Sequence, residues 1–538
     1  MNKILKLSLI LTIGINLNAL EMIKLNTKEV NGRVFAEDCP NCQLIPVSLD
    51  VLISQIVKNN YDLSSQKMKV DIASHQTAIE EGIFEPILNL KADYIRTKVP
   101  NSAEDMISRD YLSIYEEGKY YAQAGVKGII ESGAEWSINI SDGRKHSNLI
   151  EETQDYRNEF DNEVSFSLKQ PLLKGFGKEM TSIKINLAKQ NETIVLKEYN
   201  TKLMNLIAST VKTYWTLYGT QKLYESWKSS LVVAEKGLKN VKLLALNGKM
   251  PQTDILEVQS AILHRKTEIL ALKSKIIELQ DKIMSLLNLS VMANPNIILI
   301  AKDSPHIEKK VKVNSLKISF EKALNNLPEL ELMKLKYKQE KLKNSYSENQ
   351  LLPDLSLQAG ISTAGLGSLD SKARKDAFSD KYTSYNVGLS LEMPIGGNKQ
   401  AKENLEISKL KLLDIKLEIE SSKRMLNNVL NTKRKQLINQ QDRLDLYKEN
   451  MSFHTNLLNI ELEKLRSGRA DIRDVFDYEE KVILSQRKLL NSIINWKLSE
   501  ALLDKATGEL FKKYKIKVDA NRGGYSMIKD KLNKKLYK

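Results

Sequence analysis

The chain has 538 residues, 42% of them hydrophobic and 28% charged, and a formal net charge of +15. Only 11 prolines and 23 glycines are spread over that length, which favours long helices around a sizeable core over a loop-rich fold. The lysines are scattered along helical stretches rather than gathered in one arm, which argues against nucleic acid as a partner. The five histidines show no HExxH or other ligand spacing, so neither an enzyme nor a bound cofactor or metal is expected.

Residues 1–19 read as a secretory signal: Lys3 and Lys6, an apolar run from Leu7 to Ile15, then Asn18 and Ala19. The run is short for a membrane helix, and no later stretch approaches about 18 uninterrupted apolar residues. Residues 20–46 follow as an N-terminal segment that holds the only two cysteines, Cys39 and Cys42. In an exported protein this spacing suits a local disulfide, with a redox pair or a metal site as the alternatives. Gln43 excludes a haem-attachment motif.

Residues 47–289 form the first of two repeats. Helical spacing runs from Val47 to about Ile83, and β strands occupy 87–170, the last alternating as Val164, Phe166, Leu168, Gln170 into Pro171. Gly175, Phe176 and Gly177 then read as a strand-to-helix turn. A heptad helix extends from near Thr181 to Leu246, and a tip at 247–251 contains Gly248. A return helix opens at Pro251 with Ile255, Val258, Ile262, Arg265 and Ile269 in register, Arg265 being the exception to an apolar seam.

Residues 290–325 fit neither pattern and form a linker that wraps the helical body. The second repeat, 326–509, says the same again: strands at 354–394 ending at Pro394, a helix from near Asn398 to Leu465, a tip at 466–471 with Gly468, and a return helix through Val475, Tyr478, Val482, Ser485 and Leu489. The copies lie about 220 residues apart, the mark of a duplicated structural unit. A basic tail, 510–538, completes the chain.

The first copy carries about 44 more residues in its β region than the second. They include Tyr120, Ala122, Ala124, Val126 and Trp136, Ile138, Ile140, two alternating runs around Ser132 and Gly133 that read as an added hairpin. The pattern does not say whether this hairpin extends a barrel or lies outside it. An exported chain without an apolar helix can still cross a membrane as a β-barrel. Four strands of about 8 to 12 residues are long enough to span it but too few to close alone, so closure requires several copies.

The runs Leu168, Lys169, Gln170, Pro171, Leu172, Leu173, Lys174, Gly175, then Asn325, Asn326, Leu327, Pro328, Glu329, Leu330, and Leu351, Leu352, Pro353, Asp354, Leu355 resemble the TolC-type outer membrane efflux proteins, over roughly residues 47–510. The resemblance implies a mainly α fold with a membrane β-barrel portion: a homotrimeric channel-tunnel in the outer membrane lipid, with a 12-stranded barrel and its helical body in the periplasm. It also implies a periplasmic adaptor (membrane fusion) protein and an inner membrane transporter as partners. The function implied is a passive exit duct of a tripartite efflux pump or type I secretion system, for drugs, other small molecules or polypeptides. The alternative, a periplasmic coiled-coil adaptor or scaffold, would be expected to show one hairpin and many short strands.

Aligned on Gly468, the two aspartates that narrow the family's periplasmic entrance fall at Asp474 and Asp477. The family's tip latch matches Thr253 and Asp254 on the first tip. On the second tip the expected tyrosine and arginine are Leu465 and Ala470, with Arg466, Arg469 and Arg473 nearby, so a pair between Asp254 and an arginine would be a substitute. The tips around Gly248 and Gly468 are where the family's adaptor docks.

Overall fold

The computed structural model describes residues 30, 32–247, 251–290, 296–305, 313–467, 469–518 and 525–527. The expected signal at 1–19, both tip glycines, Gly248 and Gly468, the side chain of Arg466 and most of the basic tail lie outside these residues. The described chain divides into two compact units, one of residues 1–69, 196–331 and 420–538, the other of residues 70–195 and 332–419. Among the described residues no helix is long and apolar enough to cross a membrane.

The first unit is helical. Its long elements are the C-terminal part of α7 (Ile183–Leu246), α8 (Gln252–Leu286), the C-terminal part of α12 (Lys399–Arg466) and α13 (Ile472–Ala506). Heptad residues meet in separate layers along them. Ala234 and Val241 of α7 pack with Val258 and Ile262 of α8 and Ile472 and Phe476 of α13. Leu458 and Leu462 of α12 meet Val475 and Val482 of α13, and further along Leu444 meets Leu489 and Ile493. Such seams, rather than helix propensity, hold helices of this length.

The N-terminal segment joins this unit. In α1 (Gly32–Asp38), Phe35 stacks on Tyr224 with centroids 5.2 Å apart, and Asp38 pairs with Lys228 at 2.5 Å. The expected disulfide links Cys39 and Cys42. Two features depart from the sequence reading. Strand β1 (Gln43–Val47) pairs in parallel with β6 (Ile297–Ala301), in what had read as the end of the N-terminal segment and a linker. Tyr214 and Gln221 of α7 pin that pair: the Tyr214 hydroxyl lies 3.1 Å from the Val47 carbonyl, and Gln221 donates to the Leu299 carbonyl at 2.7 Å and accepts from the Ala301 amide at 3.1 Å. The helix expected from Val47 to Ile83 is also broken, into α2 (Leu49–Asn59) and α3 (Tyr61–Glu81). Asn60 causes the break: its side-chain oxygen accepts from the Leu63 amide, capping α3, and its amide donates to the Leu286 carbonyl.

The second unit is built on one antiparallel sheet of six strands, in the order β2 (Ile87–Pro100), β3 (Ile114–Ile129), β4 (Glu135–Ser147), β5 (Glu159–Pro171), β7 (Asp354–Gly367), β8 (Thr383–Glu392). This settles the position of the added hairpin: β3 and β4 are hydrogen-bonded between β2 and β5, inside the sheet. The two repeats meet where β5 pairs with β7. Short helices α4 (Ala103–Ser108), α5 (Asn148–Thr153) and α11 (Asp370–Ala377) occupy the connections at one end. At the other end β3 and β4 are joined by a tight turn, and the chain passes from β5 through α6 (Lys178–Thr181) into α7.

Candidate functional site

The sheet has two chemically different faces, because register carries the period-two alternation from strand to strand. On one face Leu90 lies beside Ala124, which lies beside Ile140, Val164 and then Thr363; one layer on, Leu88, Val126, Ile138, Phe166, Ile361 and Tyr385 stand side by side. Leu88, Leu90, Ile138, Phe166 and Ile361 are all exposed. On the other face Ser137 and Ser167 are hydrogen-bonded at 2.7 Å, and Lys119 of β3 reaches Asp161 of β5 at 3.3 Å across β4. That reach needs Gly143, because a Cβ there would lie 1.7 Å from an Asp161 carboxylate oxygen. Towards the end carrying the short helices the apolar face turns polar. There Asp142 pairs with Arg374 of α11 at 2.5 Å.

At the tips, Asp471 and Pro251 are the N-cap residues of the two return helices. Asp474 lies in the first turn of α13, half-buried, and Asp477 is exposed one turn further on. Their spacing of three places them as neighbours on the helix surface. Thr253 donates to Asp254 at 3.3 Å, within the first tip. Arg473 lies between the two hairpins, 3.9 Å from Glu257 of α8 and 3.9 Å from Asp474. Arg469 instead donates to Ser467 in its own tip at 3.1 Å. Among the described residues the substitute pair between Asp254 and an arginine is not formed; Glu257, a turn along, stands where Arg473 reaches.

Below this layer is a cluster of which the sequence had exposed only one member. Arg265, the heptad exception, is 2% exposed and donates to Ser230 at 2.8 Å and to Glu479 at 3.2 Å, with its guanidinium over the Phe476 ring. Glu479 is 1% exposed. Burial pushes its carboxyl above the usual range, opposed by the Arg265 charge and the Ser230 hydroxyl. An arginine at a core heptad position announces a buried acid opposite it; Glu479, four residues after Val475 on the seam of α13, was the place to look. Among the described residues no group of histidine, cysteine, aspartate or glutamate is gathered to hold a metal ion.

The duplicated sheet-and-coiled-coil architecture is that of the outer membrane channel-tunnels. Solved structures with this fold include the CmeC outer membrane channel of Campylobacter jejuni, 13% identical with a TM-score of 0.60 over 90% of this chain and 89% of that one. The outer membrane protein VceC of Vibrio cholerae matches at 12% identity and a TM-score of 0.60, over 86% of this chain and 96% of its own. The open state of the Neisseria gonorrhoeae MtrE outer membrane channel matches at 14% identity and 0.59, over 86% and 89%. No protein-family model and no curated protein matches the sequence.

Proposed function

We propose that this chain is an outer membrane exit duct of an export machine, a passive channel rather than an enzyme. One observation carries the proposal: an apolar face continuous over six strands, backed by a polar face, which is the construction of a membrane barrel wall around a wet lumen. In a water-soluble adaptor or scaffold the same band would be a large apolar surface in contact with water. The sheet belongs in the outer membrane and the coiled-coil hairpins in the periplasm, after removal of residues 1–19 as a signal.

Three copies are proposed to assemble. The helical unit supports this with an exposed heptad stripe on α8, Leu256, Leu263, Leu270 and Ile277. At the matching positions of the second repeat, Phe476, Ile483 and Leu490 are buried by the chain itself, Phe476 against Ala234 and Val241 of α7. By the duplication, the occupant of the α8 stripe is the second repeat of another copy, whose α12 exposes Leu446, Phe453 and Ile460 at the same seven-residue spacing. An adaptor protein docked around Gly248 and Gly468, and an inner membrane transporter that supplies the energy and selects drugs, other small molecules or polypeptides, complete the machine.

Asp474 and Asp477 are the proposed constriction, a ring of carboxylates around the axis that favours cations, and Arg473 with Glu257 and Asp474 a polar link between the tips. The chain should fractionate with the outer membrane as an SDS-resistant trimer; a soluble monomer would sink the proposal. In planar bilayers, replacing Asp474 and Asp477 with alanine should reduce the cation preference of single channels. An unchanged preference would remove the two aspartates from the constriction while leaving the channel intact.

A further inference from the structure

On the trimeric reading proposed above, we infer that the added hairpin is barrel wall and that the assembled barrel has 18 strands, three copies of the six-stranded sheet, a size that leaves an aqueous channel. The 12-stranded barrel implied by the resemblance is the competing architecture. Barrel diameter grows roughly linearly with strand number, so the lumen is about 1.5 times as wide.

Three features place the hairpin in the wall. Among the described residues its strands are the hydrogen-bonded link between β2 and β5: β3 pairs with β2 from Ile87↔Lys127 to Pro100↔Ile114, and β4 pairs with β5 from Glu135↔Lys169 to Lys145↔Glu159. Removing it from the sheet would strip both neighbours of a partner along a whole edge.

The hairpin also carries its own share of the membrane-facing pattern. Ala124, Val126, Ile138 and Ile140 lie on the apolar face in register with their neighbours, and Ala122 follows on the same face beside Asp142, where that face turns polar. Aromatic residues bracket that stretch as they do at the two interfaces of membrane barrels. Tyr120 packs on Tyr94 at one end, centroids 4.5 Å apart, and Trp136 stands beside Gly128 at the other. From Tyr120 to Gly128 the strand has nine residues, at the lower end of the roughly 9 to 11 that a tilted membrane-spanning strand needs.

Finally, the turn at its base is built into the chain's passage from sheet to helix. Ser132 donates to Gln170 at 2.8 Å, its carbonyl accepts from the Gly177 amide at 3.0 Å, and Glu131 pairs with Lys178 at 2.9 Å. Gly133 has φ +88°, and a Cβ there would lie 2.7 Å from the Gly175 carbonyl oxygen, so a glycine is required where the turn presses on the junction. A sheet of six strands is below the eight of the smallest single-chain barrels, so closure needs other copies.

The test is thiol accessibility of the purified protein in phospholipid vesicles, with a membrane-impermeant maleimide. Cys39 and Cys42 are joined in a disulfide, so an introduced cysteine is the reactive one. Ala122→Cys and Ala124→Cys sample the apolar face of the hairpin and Ser137→Cys and Ser141→Cys its polar face; all four are small changes that the fold should accept. Ser165→Cys on β5 and Ala359→Cys on β7 give the same contrast outside the hairpin.

The two serine sites should label at least about tenfold faster than the two alanine sites, matching the contrast between Ser165→Cys and Ala359→Cys. Equal, fast labelling of all four hairpin sites, with the outside contrast preserved, would overturn the 18-stranded barrel and leave a 12-stranded one. Loss of contrast at Ser165→Cys and Ala359→Cys as well would overturn the barrel reading itself.

Discussion

The return helices α8 and α13 have the same length, 35 residues, and the same entry geometry, an extended N-cap at Pro251 and at Asp471. Each ends in a left-handed residue two positions on, Asn288 with φ 56° and Gly508 with φ 74°. Their surroundings differ. Helix α13 buries Phe476, Ile483, Leu490 and Ile494 as well as its heptad seam, whereas α8 buries little beyond its seam and leaves Leu256, Leu263 and Leu270 about two-thirds exposed. One helix design therefore serves in two settings, covered by the chain's own α7 in the second repeat and left for another surface in the first. Duplication fixes the backbone; burial records which contacts are made within one chain.

The sharpest way to break the comparison is at the point where the copies are joined. Replacing Arg265 with methionine leaves the Glu479 carboxylate buried without its counter-charge, and should cost about 3–5 kcal/mol in thermal or denaturant unfolding. In that variant the Glu479 pKa, already raised by burial, loses the opposing pull of the guanidinium. The protonated acid is then the form that the folded state prefers. Stability should be greatest below the ordinary carboxylate range, about 4.3, and should fall as pH rises through the elevated folded pKa. The double variant with Glu479→Gln should lose most of that pH dependence.

A next contrast uses matched apolar positions. Ile483→Ala should destabilise the chain by about 2–5 kcal/mol through a core cavity. Leu263→Ala, its counterpart in α8, should change the unfolding of a dissociated chain by no more than ~0.5 kcal/mol yet weaken SDS resistance of the proposed trimer. Equal effects of the two on a dissociated chain would mean that the two helices are buried alike.

The smallest difference concerns the helix ends. At Gly508 a Cβ would lie 2.6 Å from the Asn326 carbonyl oxygen in addition to the positive φ, so Gly508→Ala should cost about 1–3 kcal/mol. Asn288→Gly, at the matching position, relieves the positive φ but loses the hydrogen bond from the Asn288 amide to the Asn59 carbonyl, and should cost no more than about 1 kcal/mol in the same melting experiment.

Long-range order was legible where punctuation and periodicity agree. The heptad seam, with Pro171 and Pro394 before it and the tips after it, bounded α7 and α12 to within about two residues. The pairing of β1 with β6 was not legible, since parallel partners about 250 residues apart leave only a short apolar run such as Ile297–Ala301, which has no period of its own. The break at Asn60 was missed because one capping side chain outweighed an unbroken helical spacing. For the site, Arg265 was visible as an anomaly but Glu479 was not, because an acid on a charged helix looks solvated until its neighbours are known. The added hairpin could be read as strands, but its place depended on hydrogen-bond partners that alternation does not name.

The turn from Ile130 to Ala134 lies at the same end of the sheet as the chain's arrival from α3 and its departure into α6. In an antiparallel meander that must begin and finish on one side, strands can be added only two at a time. In the trimer proposed above, threefold repetition multiplies each such pair into a step of six. The calibre of the outer opening can thus change through one insertion in the β region, while the heptad register of both helical hairpins, and every contact made through it, stays as it was.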